Sequence, residues 1–271
     1  MASRTEQDRT VAKAKGVNMN TQATIASLFL VAAAFMTPMS NARAADFTAK
    51  TVVLVHGAFA DGSSWQKVIP ILLDAGLKVV AVQNPLDSLE NDVAFTKRAI
   101  REAEGPVVLV AHSWGGVVIT EAGNDPKVKS LVYVAAYAPD SGQSLQDLIS
   151  KYPPSEGRKG FLKDEEGYLR LSEEGVTKYF APDLAPQEQK VVATVQGRYH
   201  ERTFSAHVSK AAWREKPTFK VISTKDQIIA PQIQKEQAES AKATAIELPG
   251  SHVVMLSHPK EVAAHILRAA K

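Results

Sequence analysis

Pro106–Ala122 reads PVVLVAHSWGGVVITEA. Val107 to Val110 make an apolar run long enough for a strand buried on both faces, Ala111-His112-Ser113-Trp114-Gly115-Gly116 interrupts it, and Val117-Val118-Ile119 resumes an apolar pattern that can wind as a helix. Strand, tight turn and helix around a central serine is the context in which a nucleophile elbow forms. Such a turn holds its serine in a strained backbone conformation, so the positions two before and two after it must be small. Ala111 and Gly115 meet that requirement. The Ser113 hydroxyl is expected to stand clear of the sheet edge, with the first amides of the helix aimed at the same spot. A serine between two small residues also occurs in ordinary strand-to-helix loops, so the surrounding chain has to decide.

Outward from this stretch the pattern alternates. Thr51 to Val55, Lys78 to Val82, Lys129 to Ala135, Thr218 to Ser223 and Thr244 to Leu248 read as strands. Trp65 to Leu73, Leu89 to Ala103, Pro231 to Ala241 and Pro259 to Ala270 read as helices. Strands alternating with helical stretches imply right-handed crossovers, so the fold class is α/β, a mostly parallel sheet with helices on both faces. In such sheets the ligand site lies beyond the carboxyl ends of the strands. Side chains that carry chemistry should therefore follow strands.

Asp140 to Trp213 breaks the rhythm, with Pro153-Pro154, Gly157, Gly160 and Gly167 as punctuation. It fills a place where a short crossover would suffice. Leu145, Leu148, Tyr179, Phe180, Val191, Val192 and Phe204 give it apolar faces to bury, so residues 140–213 read as a helical lid on a core made of 45–139 and 214–271.

Residues 1–44 do not read as part of that core. Ile25 to Met36 is an uncharged, nearly all-apolar run of twelve, too short for a typical membrane span and suited to the apolar region of a signal peptide. Arg4, Arg9, Lys13 and Lys15 precede it, and Ala42-Arg43-Ala44 follows as a cleavage site that would start the mature chain near Ala45. The stretch ahead of the run is long and holds Glu6 and Asp8, so Met1 and Met19 both stand as candidate starts; Met19 would leave no lysine or arginine ahead of the run. The expected location is periplasmic or secreted, with no membrane span in the mature chain.

Of 32 Lys and Arg and 29 Asp and Glu, five and two fall within 1–44, which leaves 27 of each. The remainder is formally neutral and offers no support for a nucleic-acid partner. There is no cysteine, so disulfides, thiolate metal sites and a cysteine nucleophile are excluded together. Nothing in the composition, at 45% hydrophobic and 23% charged, departs from an ordinary globular chain. Oligomeric state is not readable.

Three strand ends carry the remaining chemistry. After the first comes His56-Gly57-Ala58-Phe59, where the glycine lets the backbone turn toward the elbow, so that the Ala58 amide can join the Trp114 amide as an oxyanion hole. His56 reads as a ring that ties this loop down. After Ser223 comes Asp226, a carboxylate placed to reach a histidine, with Asp140 as its competitor. After Leu248 comes His252, expected as the base in preference to His200, His207, His258 and His265. Ser113, Asp226 and His252 then occur in the order serine, acid, histidine. Phe59, Trp114 and Tyr137 also follow strands and either line an apolar substrate pocket or pack beneath the lid.

With these residues in place the chain resembles the α/β-hydrolase superfamily, in the small-lid branch that holds plant methyl-ester esterases, hydroxynitrile lyases and their bacterial relatives. The resemblance rests on His56-Gly57-Ala58 with Gly62 and Trp65, on AHSWGG from Ala111, on Asp226 to Pro231 and on SHVVMLSHP from Ser251 to Pro259. It implies an α/β-hydrolase fold with the lid inserted after the strand that the family counts as its sixth. It also implies a site needing neither cofactor nor metal, with Ser113, Asp226 and His252 as triad and the Ala58 and Trp114 amides as oxyanion hole. The expected activity is that of a serine carboxylesterase on small esters. Two alternatives use the same triad: a carbon–carbon lyase, and a ligand-sensing protein that only binds. Two positions depart from the pattern. Ala111 replaces the usual glycine, and Val253 stands where the lyases carry a lysine, which favours hydrolysis over cyanohydrin cleavage.

Overall fold

The computed structural model describes residues 47–271. The leader expected over 1–44 lies outside the described residues. In chain order the first half runs β1 (Thr51–Val55), α1 (Ile69–Asp74), β2 (Lys78–Val82), α2 (Leu89–Glu102), β3 (Val107–Ser113), α3 (Gly115–Ala122) and β4 (Val128–Ala136). The lid contributes α4 (Leu145–Ile149), β5 (Phe161–Lys163), β6 (Tyr168–Leu171), α5 (Pro186–Val195) and β7 (Tyr199–His200). The chain then returns through β8 (Thr218–Ser223), α6 (Pro231–Ser240), β9 (Thr244–Leu248), α7 (Val254–Ser257) and α8 (Pro259–Ala269).

The main sheet has the order β2-β1-β3-β4-β8-β9, and every pairing in it is parallel. β1 and β3 are buried along their whole length, as their unbroken apolar runs require, whereas the edge strands β2 and β9 are partly exposed. The chain builds outward from β1 to β2, then crosses back to β3. That reversal opens a crevice at the carboxyl ends of β1 and β3, which is where the segments led by His56 and Ser113 emerge.

Two elements differ from the sequence reading. The helix expected from Trp65 starts only at Ile69, after a short 3₁₀ turn over Gly62–Trp65. Pro70 explains this: without an N–H it is tolerated in a first helical turn but not in an interior. The lid contains helices, as expected, and adds a small antiparallel sheet of β5, β6 and β7. Tyr168-Leu169-Arg170-Leu171 alternates with period two, burying Leu169 and Leu171 and exposing Arg170. The Asp164 carboxylate accepts from the Glu166 and Tyr168 amides and closes the turn between β5 and β6.

The lid is tied at its base and to the core. The Gly142 amide donates to Val208 O at 2.7 Å, and the Trp213 indole to Pro139 O at 2.8 Å. Among the described residues no helix is long and apolar enough to cross a membrane.

One core residue is a lysine. Lys220 in β8 is 1% exposed, with its ammonium group bonded to Ala136 O at 3.0 Å and Gln237 Oε1 at 3.2 Å, and among the described residues no carboxylate pairs with it. Burial lowers its pKa to about 7. Because the folded state gives up this proton more readily than the unfolded chain, Lys220 costs stability at low pH, and the cost fades as pH rises from about 7 toward the ordinary lysine value. The expected rise is on the order of 5 kcal/mol. Urea unfolding of wild type and Lys220→Met between pH 7 and 10 checks this: the variant loses that upward slope.

Candidate active site

Ser113 closes β3 with φ +54°, a left-handed conformation that a serine adopts only under constraint. Ala111 is fully buried with its methyl group accommodated, and a Cβ on Gly115 would lie 2.7 Å from His56 O. Smallness at both flanks is thus met, and only the second position demands glycine. A Cβ on Gly57 would fall 2.6 Å from Ser113 Cβ, so the loop after β1 can approach the serine only with glycine there. Phe59, two residues on, also has positive φ, +58°.

The three residues singled out in the sequence converge. Ser113 Oγ lies 2.9 Å from His252 Nε2, and His252 Nδ1 lies 2.8 Å from Asp226 Oδ2. A carboxylate accepts, so Nδ1 carries the proton and Nε2 is left to accept from the serine hydroxyl. Asp226 Oδ1 accepts from the amides of Ile228 (2.8 Å) and Ile229 (2.9 Å), which fixes the carboxylate plane. Its competitor Asp140 is paired with Arg214 and takes no part.

The other histidines are occupied elsewhere. His56 Nδ1 donates to Gly57 O and its Nε2 accepts from the Asn84 amide, so the ring does pin the loop; burial lowers its pKa and keeps it neutral. His200 accepts from the Arg202 amide, His258 bonds Ser257, His265 donates to Thr244 O, and His207 faces Asp147.

Four residues that sequence reading did not single out hold this arrangement. Gln234 on α6 donates from Nε2 to Asp226 Oδ2 and to Ile229 O, both at 2.9 Å, while its Oε1 accepts from the Ser223 amide at 3.0 Å. His112 donates from Nε2 to His252 O at 2.9 Å, its ring centre 4.6 Å from that of His252. Burial drives the His112 pKa well down, so it serves as a neutral strut. The Ser223 hydroxyl bonds the Gly250 and Ser251 carbonyls and anchors the loop that carries His252. Asp92, buried on α2, accepts the Trp114 indole N–H at 2.7 Å and the Leu86 amide at 2.9 Å. Burial pushes the Asp92 carboxyl up to about 6 against the pull of those two donors. Gln234, eight residues past Asp226 on a helix begun by Pro231, was the most findable of the four.

Above Ser113 lies a cavity, part of it open to solvent, lined among others by Ala58, Phe59, Trp114 and Tyr137. All three aromatic residues line the cavity, and two of them also pack against the lid, Trp114 with its ring centre 5.3 Å from that of Tyr199. Phe59 lines the cavity and also packs against lid residues Phe161 and Tyr199, at 5.0 and 5.9 Å between ring centres. No group of three His, Cys, Asp or Glu side chains is placed to hold a metal ion among the described residues.

Residues 52–265 match the alpha/beta hydrolase family. The chain belongs to that family. Among relatives of this hydrolase, Salicylic acid-binding protein 2 of Nicotiana tabacum is 27% identical over 82% of this chain and 97% of its own length. Methylesterase 2 of Arabidopsis thaliana is 24% identical over 80% of this chain and 95% of its own. Among solved structures, polyneuridine aldehyde esterase superposes with a TM-score of 0.72 at 20% identity, covering 82% of this chain and 100% of that one, which bears on the fold. The resemblance to plant methyl-ester esterases drawn from the motifs therefore holds over 80% or more of the chain.

Replacing Gln234 by leucine leaves the Ser223 amide and the Ile229 carbonyl without partners and removes one donor to Asp226. The expected loss is about 3 kcal/mol, the scale of buried polar groups stripped of their bonds. Urea denaturation against wild type measures it.

Proposed function

We propose that the protein is an exported serine carboxylesterase that cleaves small carboxylic esters through an acyl-serine intermediate. The observation that carries this reading is the chain of two hydrogen bonds, Ser113 Oγ to His252 Nε2 and His252 Nδ1 to Asp226, beneath a largely apolar cavity that Ser113 lines. The esterases among the chain's relatives support it.

In this mechanism Ser113 Oγ attacks the ester carbonyl carbon as its proton passes to His252 Nε2. Negative charge gathers on the carbonyl oxygen, and the Ala58 and Trp114 amides donate to it. Both residues line the cavity beside Ser113, and neither amide donates to a protein acceptor among the described residues. Asp226 holds the imidazole in the required tautomer and stabilises the imidazolium. As the intermediate collapses, the C–O bond to the alcohol breaks and His252 returns the proton to the departing oxygen. A water molecule then attacks the acyl carbon, giving its proton to His252; the bond from that carbon to Ser113 Oγ breaks, His252 returns the proton to Oγ, and the acid leaves.

Hydrolysis of p-nitrophenyl acetate tests the reading. Wild type turns it over, and Ser113→Ala loses turnover by a factor on the order of 10⁶; a wild type inert toward every short ester overturns it. Export is tested separately. When the full chain is expressed in a bacterium, the N-terminal sequence of the periplasmic or secreted protein should begin near Ala45, and an uncleaved chain retained in the cytoplasm contradicts the leader.

A further inference from the structure

Most of the wall around Ser113 is apolar: Phe59, Trp114, Leu145, Ile149, Phe161 and Ile228. One side departs from this. Arg158, Tyr137 and Tyr199 line the same cavity, Arg158 from an exposed position at its mouth. The Tyr199 hydroxyl is buried beside the Thr203 hydroxyl without a hydrogen bond of good geometry to it, since Thr203 donates to His200 O at 2.8 Å, and Tyr137 is only partly buried. Burial pushes the loss of both phenolic protons upward, so both remain donors at neutral pH.

Arg158 has no carboxylate partner among the described residues, although cations around it do. Glu156 pairs with Lys159, Glu174 with Lys178 and Glu201 with Lys163. The backbone beneath Arg158 is nevertheless held closely. The Gly157 amide donates to Gln227 O at 2.9 Å, and a Cβ on Gly157 would lie 2.8 Å from that same backbone oxygen. The turn over Glu156–Gly160 is therefore docked on the segment that follows Asp226, and no larger residue than glycine permits that approach. A guanidinium whose root is fixed to the site and whose fork is unpaired is suited to a planar anion. It also opens toward a second cavity that it lines with Phe161, Lys163 and Phe204.

We infer that the substrate carries a carboxylate at the end remote from the reacting carbonyl, anchored by the Arg158 guanidinium with the Tyr137 and Tyr199 hydroxyls as further donors. The substrate class is then a monoester of a dicarboxylic acid, or an ester equivalent in charge, with an apolar middle section against the hydrophobic wall. This assignment rests on the hydrolase reading given above and names the substrate class of that site. Arg158 acts on specificity: it touches substrate but takes no part in proton transfer.

The test compares monomethyl esters of the straight-chain diacids from succinic to suberic with methyl alkanoates of matching chain length, following methanol release. For the preferred length, Arg158→Gln should lower the ratio of kcat/KM for the monoester to that for the neutral ester about tenfold, the scale of a charge-assisted contact partly open to water. The fall should appear mainly in KM, and Arg158→Lys should restore part of it. A ratio that stays within twofold across all lengths overturns the anion site. Calorimetry of the same monoesters with Ser113→Ala, and with Ser113→Ala combined with Arg158→Gln, separates the two readings. Binding that weakens about tenfold on loss of Arg158 in a protein whose wild type hydrolyses no ester leaves the anion site standing and removes the hydrolase. Hydrolysis that ignores Arg158, with binding equally indifferent, does the reverse.

Discussion

The 2.8 Å hydrogen bond between His252 and Asp226 joins two loops that follow different strands, and both ends must be fixed before Ser113 has a base at all. Neither loop is part of a regular element, so their position has to be imposed from outside. Gln234 and the Ile228 and Ile229 amides orient the carboxylate, while Ser223 holds the backbone on either side of Ser251. The lid adds a tie from the Asp183 carboxylate to the Ser251 amide at 2.8 Å, so the loop carrying His252 is fixed from the core and from the insertion at once. Polar networks of this kind rigidify a site, because any partial opening exposes several unpaired groups together.

Buried charge is used sparingly, and in two opposite ways. Asp92 is a carboxylate out of water with two strong donors, and it stands behind Trp114, the residue whose amide is proposed to receive the oxyanion. Burial keeps Asp92 protonated up to about pH 6, well above an ordinary carboxyl, and the Trp114 and Leu86 hydrogen bonds offset part of that shift. Lys220 has acceptors but no counter-charge, and its depressed pKa lets it shed its proton instead. Its bond to Ala136 O ties β8 to the end of β4, directly before Tyr137. The first group keeps an aromatic side chain in place beside the nucleophile; the second joins two central strands where the cavity begins.

Much of this was legible before any coordinates, because the relevant signals are local. The strand and turn around Ser113, the glycine after His56 and the position of each candidate side chain just past a strand all follow from short stretches of sequence. What stayed hidden depends on distant residues. Asp92 looks like one more acid on an amphipathic helix until Trp114 is placed against it, 22 residues away. The β5–β6 hairpin was overlooked because the insertion was read as a unit by its polarity, although the alternation in Tyr168–Leu171 was there to see. The helix expected from Trp65 failed on a rule that was available, since Pro70 sits where an interior amide would be needed.

The lid then decides more than access. It contributes Tyr199 and Arg158 to the cavity, and its Phe161, Tyr199 and Phe204 form an aromatic cluster with Phe59 and Trp114. The core residues of that cluster are also the ones nearest the chemistry: Phe59 holds a strained backbone next to Ala58, and Trp114 follows Ser113. Aromatic packing between lid and core therefore bears directly on the two amides proposed to receive the oxyanion. A lid that shifted would alter the cavity wall and loosen those amides together, so in this fold substrate shape and transition-state stabilisation are coupled through the same side chains.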